Sequence, residues 1–283
     1  MGASQSHEDS IHPQDSKPNL ENNRVELKNP ESNISVRPME KKMDFVDSKS
    51  SKKPEKTQVP YNYETILRDV DLPIDTSTMD KLISQLHYGV FLNQKRKKYW
   101  VDKNNKNCFM LFARDLSITW AENDHHWHWF SQKETSTSDD SIEVAELLAV
   151  CWLELVGKFP VSKLSPSTLY EVVFIVMLRE AAFGWETAIN LKLTLPNGQK
   201  IEHKETLMNK PREKWIEIPV GEFKASFDEQ KTKNSGDLEI YIHEYDAGEW
   251  KRGLLVKGVA IRAKKLMFIG SDFTLTVYQI QTL

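Results

Sequence analysis

Residues 187–198 read TAINLKLTLPNG, an apolar run that ends in Pro196-Asn197-Gly198. Because an Asn-Gly pair tolerates the positive φ values of a tight β-turn, this stretch predicts a hairpin. Short runs rich in aliphatic and aromatic residues recur on both sides, separated by turn residues, at 108–112, 116–120, 150–159, 169–178, 215–218, 238–245 and 254–261. No helical pattern alternates with these runs, so they predict an all-β, antiparallel sandwich or barrel.

The composition changes outside this β-rich region. Residues 1–60 contain six of the twelve prolines and one aromatic residue, so they bury too little apolar surface to offset the entropy of ordering. We predict a disordered N-terminal arm there, followed by a short helical lead-in over residues 61–98. Residues 99–263 then form the β domain, and residues 264–283 form an atypical C-terminal extension.

The lead-in is predicted to contain two short helices. The first is a periodic stretch that ends before Pro73, because proline cannot continue a helix. The second is expected to be capped by Asp75 or Thr76 and to carry apolar residues at helical spacing, namely Met79, Leu82, Ile83 and Leu86.

Composition and charge exclude several classes of protein. With 39% hydrophobic and 28% charged residues, the 283-residue chain is neither collagen-like nor wholly disordered. Its 38 basic and 41 acidic residues leave no excess of positive charge for wrapping nucleic acid. Two cysteines, Cys108 and Cys151, do not make a disulfide scaffold, and the longest apolar run, residues 172–178, is too short for a membrane helix. We expect a soluble, intracellular protein with reduced cysteines.

Tryptophan gives the strongest functional signal. Residues 120–129, WAENDHHWHW, place three tryptophans among polar residues. An exposed indole beside hydrogen-bonding groups suits a flat, amphipathic ligand such as a sugar ring or a nucleic-acid base. The alternative is a rim cluster that closes one end of the β structure. The tryptophans among aliphatic residues, Trp152, Trp185 and Trp215, are expected in the core.

Two other patterns suggest chemical sites, one for a metal and one for glycoside hydrolysis. His126, His128 and Asp124 would share one face of a strand, as metal ligands can, but no cysteine or second cluster completes a coordination shell. Asp237 and Glu239 have a spacing that an inverting glycosidase could use, but a solvated face of a strand explains them better. We therefore expect no metal, no other cofactor and no catalysis.

Strand parity places the acidic residues of the 237–245 run. Leu238, Ile240 and Ile242 should face the core, which leaves Asp237 outward and gives Glu244 the core-side parity. Glu244 is thus expected either to cap the end of the strand or to point into a pocket. Asp237 and Glu244 are seven residues apart, about 23 Å along a regular strand, so they cannot both touch one monosaccharide.

Two charged or modifiable segments remain. The basic run Lys95-Arg96-Lys97-Lys98 could contact phosphate or act in nuclear import, although a solvated loop is the simpler interpretation. The N-terminus matches the myristoylation pattern, with Gly2 and Ser6 in the required places. A single acyl chain gives only weak, reversible membrane contact, so no stable membrane insertion is expected.

Several stretches, taken together, resemble the phloem protein 2 family of plant lectins, also called Nictaba-like lectins. They are NCFMLFARDLSITW (107–120), the W-x6-W-x-W spacing of residues 120–129, IEVAELLAVCWLELVGKF (142–159), LYEVVFIVMLRE (169–180), KWIEIPVGEF (214–223) and EWKRGLLVKGVAIR (249–262). The resemblance implies a β-sandwich of jelly-roll type that binds N-acetylglucosamine oligomers and N-glycan cores without catalysis.

The resemblance also implies a sugar site and partners. By motif, the tryptophans assigned to the site correspond to Trp120 and Trp127, and the acids to Asp237 and Glu244, with aspartate at 237 where glutamate would be expected. Glycoproteins are the implied partners, and a homodimer would allow glycan crosslinking. The resemblance implies a location in the cytosol and nucleus. The alternative functions are an RNA-binding protein that uses the same aromatic residues together with Lys95 to Lys98, and a filament-forming structural protein.

Overall fold

The computed structural model describes residues 59–225 and 236–264. Within them the chain forms two α-helices, α1 (Tyr63–Ile66) and α2 (Met79–Tyr88), and thirteen β-strands. The strands are β1 (Val90–Leu92), β2 (Lys97–Val101), β3 (Asn107–Phe112), β4 (Ser117–Ile118), β5 (Trp127–Lys133), β6 (Ser141–Leu147), β7 (Leu153–Pro160), β8 (Leu169–Phe183), β9 (Ile189–Thr194), β10 (Lys200–Glu205), β11 (Ile216–Lys224), β12 (Asp237–Glu244) and β13 (Arg252–Ala263). The arm up to residue 58, including Gly2, and the extension from residue 265 lie outside the described residues.

The strands form two sheets, and every strand pairing in the described residues is antiparallel. The smaller sheet has the order β10-β9-β12-β7-β4. In the larger, eight-stranded sheet, β13 is the central strand: it pairs with β8 along one edge and with β3 and β6 along the other. The predicted antiparallel β-sandwich is confirmed.

The main core lies between the two sheets. Phe109 of β3 and Phe159 of β7 meet there with ring centroids 4.6 Å apart, although they belong to different sheets. Along β12 the residues alternate between exposed or half-buried and buried, so Leu238, Ile240 and Ile242 point into the core as predicted. A second apolar cluster, which includes Met110 and Phe112, covers the other face of the larger sheet.

The helical lead-in differs in detail from the prediction. Helix α2 exists and buries Leu82, Ile83 and Leu86, but Thr78 caps it by accepting a hydrogen bond from the Lys81 N–H at 3.3 Å. Neither Asp75 nor Thr76 is the cap. The Asp75 carboxylate instead accepts hydrogen bonds from the Ser77 N–H and the Lys81 ammonium. Neither helix of the described residues is long and apolar enough to cross a membrane.

Strands begin earlier in the chain than the sequence indicated. The lead-in predicted as helical over residues 61–98 contains β1 and the first residues of β2, which form a hairpin. The sequence also missed β5, β6 and β10, whereas the hairpin predicted at Pro196-Asn197-Gly198 joins β9 to β10. Polar or charged residues are interspersed with the apolar ones in all three strands, so the apolar signal is diluted.

Candidate functional site

Several loops meet at one end of the sandwich, which we call the apical end. Glu244, the last residue of β12, pairs with Leu153, the first of β7, and Arg252 at the start of β13 pairs with Phe183 at the end of β8. Glu205 at the end of β10 likewise pairs with Ile189 at the start of β9, so the apical end consists of loops 119–126, 148–152, 184–188, 206–215 and 245–251. Most of the large exposed apolar side chains of the β domain lie there, namely Trp120, Trp152, Phe183, Met208 and Trp250.

Trp120 is the exposed member of the WAENDHHWHW segment. Its side chain is 46% exposed, and it lies in an open groove that is also lined by residues 121–125. Its backbone has φ 60°, the left-handed region that bulky side chains rarely adopt, at a cost of about 1–3 kcal/mol. A strained residue that exposes an indole beside Glu122, Asn123 and Asp124 has the features of a ligand-binding position.

The other two tryptophans of the segment hold the backbone on either side of Trp120. The Trp127 indole donates a hydrogen bond to the carbonyl of Thr119 at 3.0 Å, and the Trp129 indole donates to the carbonyl of Ala121 at 2.8 Å. Thr119 in turn donates its N–H to the Glu154 carbonyl at 3.1 Å. The W-x6-W-x-W spacing thus gives one exposed indole and two that fix its loop.

Trp127 does not present a ring face for stacking, which corrects the sequence interpretation. Its side chain is 1% exposed and belongs to the main core between the sheets. Trp129 is half-buried, with the Arg114 guanidinium 3.6 Å from its ring centroid. Alternation in β5 sends both indoles inward, beneath the loop that carries Trp120.

The histidines of the segment make separate contacts. A His126 ring nitrogen, Nδ1, lies 2.8 Å from the carbonyl of Ala149, and its ring lies beside Trp120, with centroids 5.1 Å apart. His128 stacks on Phe130. Across residues 59–225 and 236–264, no three His, Cys, Asp or Glu side chains are grouped so that they could hold a metal ion.

Glu244 has the core-side orientation expected from strand parity, and it forms a buried ion pair. The residue is 2% exposed and bonds through Oε2 to the ammonium of Lys251, which is 0% exposed. Its Oε1 accepts the N–H of Ala247 at 3.0 Å. Burial alone would raise the pKa of Glu244, but the hydrogen bonds from Lys251 and Ala247 outweigh it and hold that pKa below its usual value. Both carboxylate oxygens are therefore engaged in holding loop 245–251.

Asp237 lies at the other end of β12. It is exposed and pairs across the sheet with Pro160, the last residue of β7. The whole of regular β12 separates it from Glu244, about 23 Å by the rise per residue. The structure therefore does not bring Asp237 together with Trp120 or Glu244.

Sequence reasoning missed a second aromatic group at the apical end. Trp152, expected in the core, is 44% exposed and stacks on Tyr245 with ring centroids 4.3 Å apart. Tyr245 also stacks on His243 at 5.1 Å. Parity could have shown this, because Leu153 and Leu155 point inward in β7 and Trp152 has the opposite parity. Trp185 is buried as expected, although it lies in a loop.

The basic run of residues 95–98 is paired with carboxylates. Lys95 bonds to Asp140 at 2.7 Å, Lys97 to Asp115 at 2.7 Å and Lys98 to Glu134 at 2.9 Å. The run lies in the β1–β2 hairpin, which corrects its assignment to a loop between helix and sheet. These pairs leave little unpaired positive charge for a phosphate backbone.

The family model of phloem protein 2 matches residues 106–263. This chain belongs to the phloem protein 2 family. The match runs from the start of β3 to the end of β13, so it contains every apical loop, whereas α1, α2 and the β1–β2 hairpin precede it.

This chain matches two curated relatives over most of their length. The protein named Phloem protein 2-like A1 of Arabidopsis thaliana is 47% identical over 209 residues, which is 73% of this chain and 82% of that protein. A protein named lectin from Luffa acutangula is 42% identical over 210 residues, which is 74% of this chain and 96% of that protein. Among solved structures, a carbohydrate-binding module, TmCBM61 in complex with beta-1,4-galactotriose, is similar at 14% identity and a TM-score of 0.30, over 53% of this chain and 87% of that one.

Proposed function

We propose that this protein is a lectin that binds N-acetylglucosamine oligomers and the cores of N-glycans at its apical end, without catalysing a reaction. The observation that carries the proposal is Trp120, an exposed indole fixed above an open, polar groove. The axial C–H groups of a sugar ring stack on such an indole, and the side chains of Glu122, Asn123 and Asp124 can hydrogen-bond its hydroxyl groups. The 42% identity to the Luffa acutangula lectin supports the same function.

The proposed roles of the remaining site residues follow from their contacts. Trp127 acts as a positioning residue, because its indole holds the carbonyl that precedes Trp120. Glu244 supports loop 245–251 through Lys251 and does not itself contact the sugar. Asp237, at the far end of β12, takes no part in the site.

A shallow site of this kind binds weakly. Much of the stacking energy is offset by ordering and desolvation, so we expect a Kd on the order of 10 μM to 1 mM for one site. A homodimer would raise the avidity for glycoproteins that carry several glycans. The cytoplasm and the nucleus are the proposed locations, with glycoproteins as partners.

Calorimetric titration of the full chain with chitotriose tests the proposal. We expect saturable binding that changes little between low and high salt, and at least roughly tenfold weaker binding for Trp120→Ala. Tyr88→Ala is the matched control, since it removes an exposed aromatic side chain outside the apical loops and should leave the affinity unchanged. Absence of chitotriose binding by the unmodified chain would contradict the proposal.

Titration with single-stranded RNA at the same two salt concentrations, together with an assembly assay, separates the alternative functions. An RNA-binding protein would bind single-stranded RNA with an affinity that falls steeply as salt rises. A filament-forming protein would assemble without any dependence on saccharide. The carboxylate pairing of residues 95–98 argues against the first of these.

A further inference from the structure

Trp152 and Tyr245 form a stacked pair on the outer face of the smaller sheet. Because Glu244 pairs with Leu153, the next residues outward along the ladder, Tyr245 and Trp152, stand directly opposite each other. Their rings are 4.3 Å apart and inclined by 18°. Tyr245 stacks on one face of the indole, and Trp152 as a residue is nevertheless 44% exposed.

The polar neighbours of this pair are suited to hydroxyl and acetamido groups. Glu154, two residues after Trp152, is on the same face of β7 and stands opposite His243 in β12, which in turn stands opposite Asn190 in β9. Burial lowers the pKa of His243, and the nearby charge of Lys192 adds to this effect. The imidazole is therefore neutral at pH 7, and its Nδ1 is buried with no hydrogen-bond partner among residues 59–225 and 236–264.

Two hydrogen bonds join the strand that follows Trp152 to the residue that precedes Trp120. The Thr119 N–H bonds to the Glu154 carbonyl at 3.1 Å, and the Thr119 hydroxyl donates to the Glu154 carboxylate at 3.2 Å. Trp120 is one residue beyond this link and Trp152 is two residues from it, so their Cα atoms are at most about 15 Å apart. One short oligosaccharide can therefore span both indoles.

We propose that Trp152, supported by Tyr245, forms a second saccharide subsite that gives the protein its preference for oligomers over single N-acetylglucosamine residues. This inference rests on the proposed lectin function, with Trp120 as the first subsite. Tyr245 acts as a positioning residue, because its ring stacks on one face of the indole and so restricts its orientation. Glu154 is in place to hydrogen-bond a sugar that bridges the two subsites.

Titration of the full chain with N-acetylglucosamine, chitobiose and chitotriose tests the subsite. For the unmodified chain the affinity should rise with oligomer length. Trp152→Ala should leave the affinity for the monosaccharide unchanged and lower that for chitotriose by about tenfold, because only the longer ligand reaches the second indole. Trp152→Phe should restore part of the affinity for chitotriose, since a phenyl ring can also stack.

The outcomes distinguish this inference from the function on which it rests. If the unmodified chain binds chitotriose and Trp120→Ala abolishes binding, but Trp152→Ala binds every oligomer like the unmodified chain, the second subsite is refuted and the lectin function stands. If the unmodified chain binds no oligomer, both are refuted. Should Trp152→Ala not fold, Tyr245→Leu supplies the test, with the same selective loss of chitotriose affinity expected.

Discussion

The Glu244–Lys251 pair is the most informative place to perturb the apical end. Both side chains are at most 2% exposed, so removal of one partner leaves an uncompensated charge inside the protein. Loss of one member of a buried pair costs about 3–5 kcal/mol, and we expect Lys251→Met to lower the free energy of unfolding by that amount at pH 7. Glu244→Gln should have a similar effect, because the buried Lys251 ammonium would keep neutral acceptors only, such as the Glu249 carbonyl at 3.0 Å, and would lose its compensating negative charge.

The double variant Glu244→Leu/Lys251→Met separates pairing from burial. An apolar pair of similar volume removes both charges and is often neutral or stabilising. The Ala247 N–H loses its acceptor, which costs about 1–3 kcal/mol. We therefore expect the double variant to be more stable than Lys251→Met alone.

Chemical denaturation measures these differences, with an exposed pair as the control. Lys133 and Asp139, 3.3 Å apart and both well exposed, should contribute less than about 1 kcal/mol. If the free energy of unfolding of Lys251→Met lies within about 1 kcal/mol of that of the unmodified chain, as expected for an exposed pair, the carboxylate of Glu244 is not buried and paired. The reasoning would then fail, and Glu244 would be free to bind a sugar hydroxyl.

Three further predictions concern the loops of the apical end. Trp127→Phe keeps an apolar ring but leaves the Thr119 carbonyl without its donor, so it should weaken chitotriose binding, and a calorimetric affinity equal to that of the unmodified chain would contradict this. The free energy of unfolding of Trp120→Gly should be about 1 kcal/mol higher than that of Trp120→Ala, because glycine tolerates φ 60°. If the backbone is not strained, denaturation curves would show Trp120→Ala to be the more stable variant. Because the pKa of Glu244 is held below its ordinary value, its contribution to stability is fully present above about pH 4.5 and is lost as the pH falls through the lowered pKa. In denaturation experiments over this pH range, Glu244→Gln should therefore lose less stability on acidification than the unmodified chain.

The sequence predicted those features that depend on local alternation and turn chemistry. The hairpin at Asn197-Gly198 and the inward side of β12 follow from a two-residue period and from the φ values that the turn requires. The edge strand β10, KIEHKE, was not predictable in the same way, because it has no buried residue and is formed by pairing with β9.

The division of roles within the tryptophan cluster depends on contacts that the sequence does not encode locally. Trp120 and Trp127 look equivalent in the sequence, but one is 46% exposed and the other 1%. The difference arises because Trp127 lies in β5 with its side chain inward, whereas Trp120 lies in a loop that the bonds between Thr119 and Glu154, 35 residues away, hold in place. The sequence likewise does not show that Lys251 is the partner of Glu244, because the two are separated by a loop and meet only in the folded chain.

Nuclear magnetic resonance of the indole N–H groups during a chitotriose titration tests the lectin function most directly. Each of the eight tryptophans contributes one indole N–H signal, which is assigned from the spectrum of a variant that lacks that tryptophan. We predict that the Trp120 signal shifts in proportion to saturation, while the signal of the core residue Trp185, whose indole donates to the Arg252 carbonyl, stays in place. A titration that saturates without moving the Trp120 signal, or one in which no indole signal moves at all, would contradict the account.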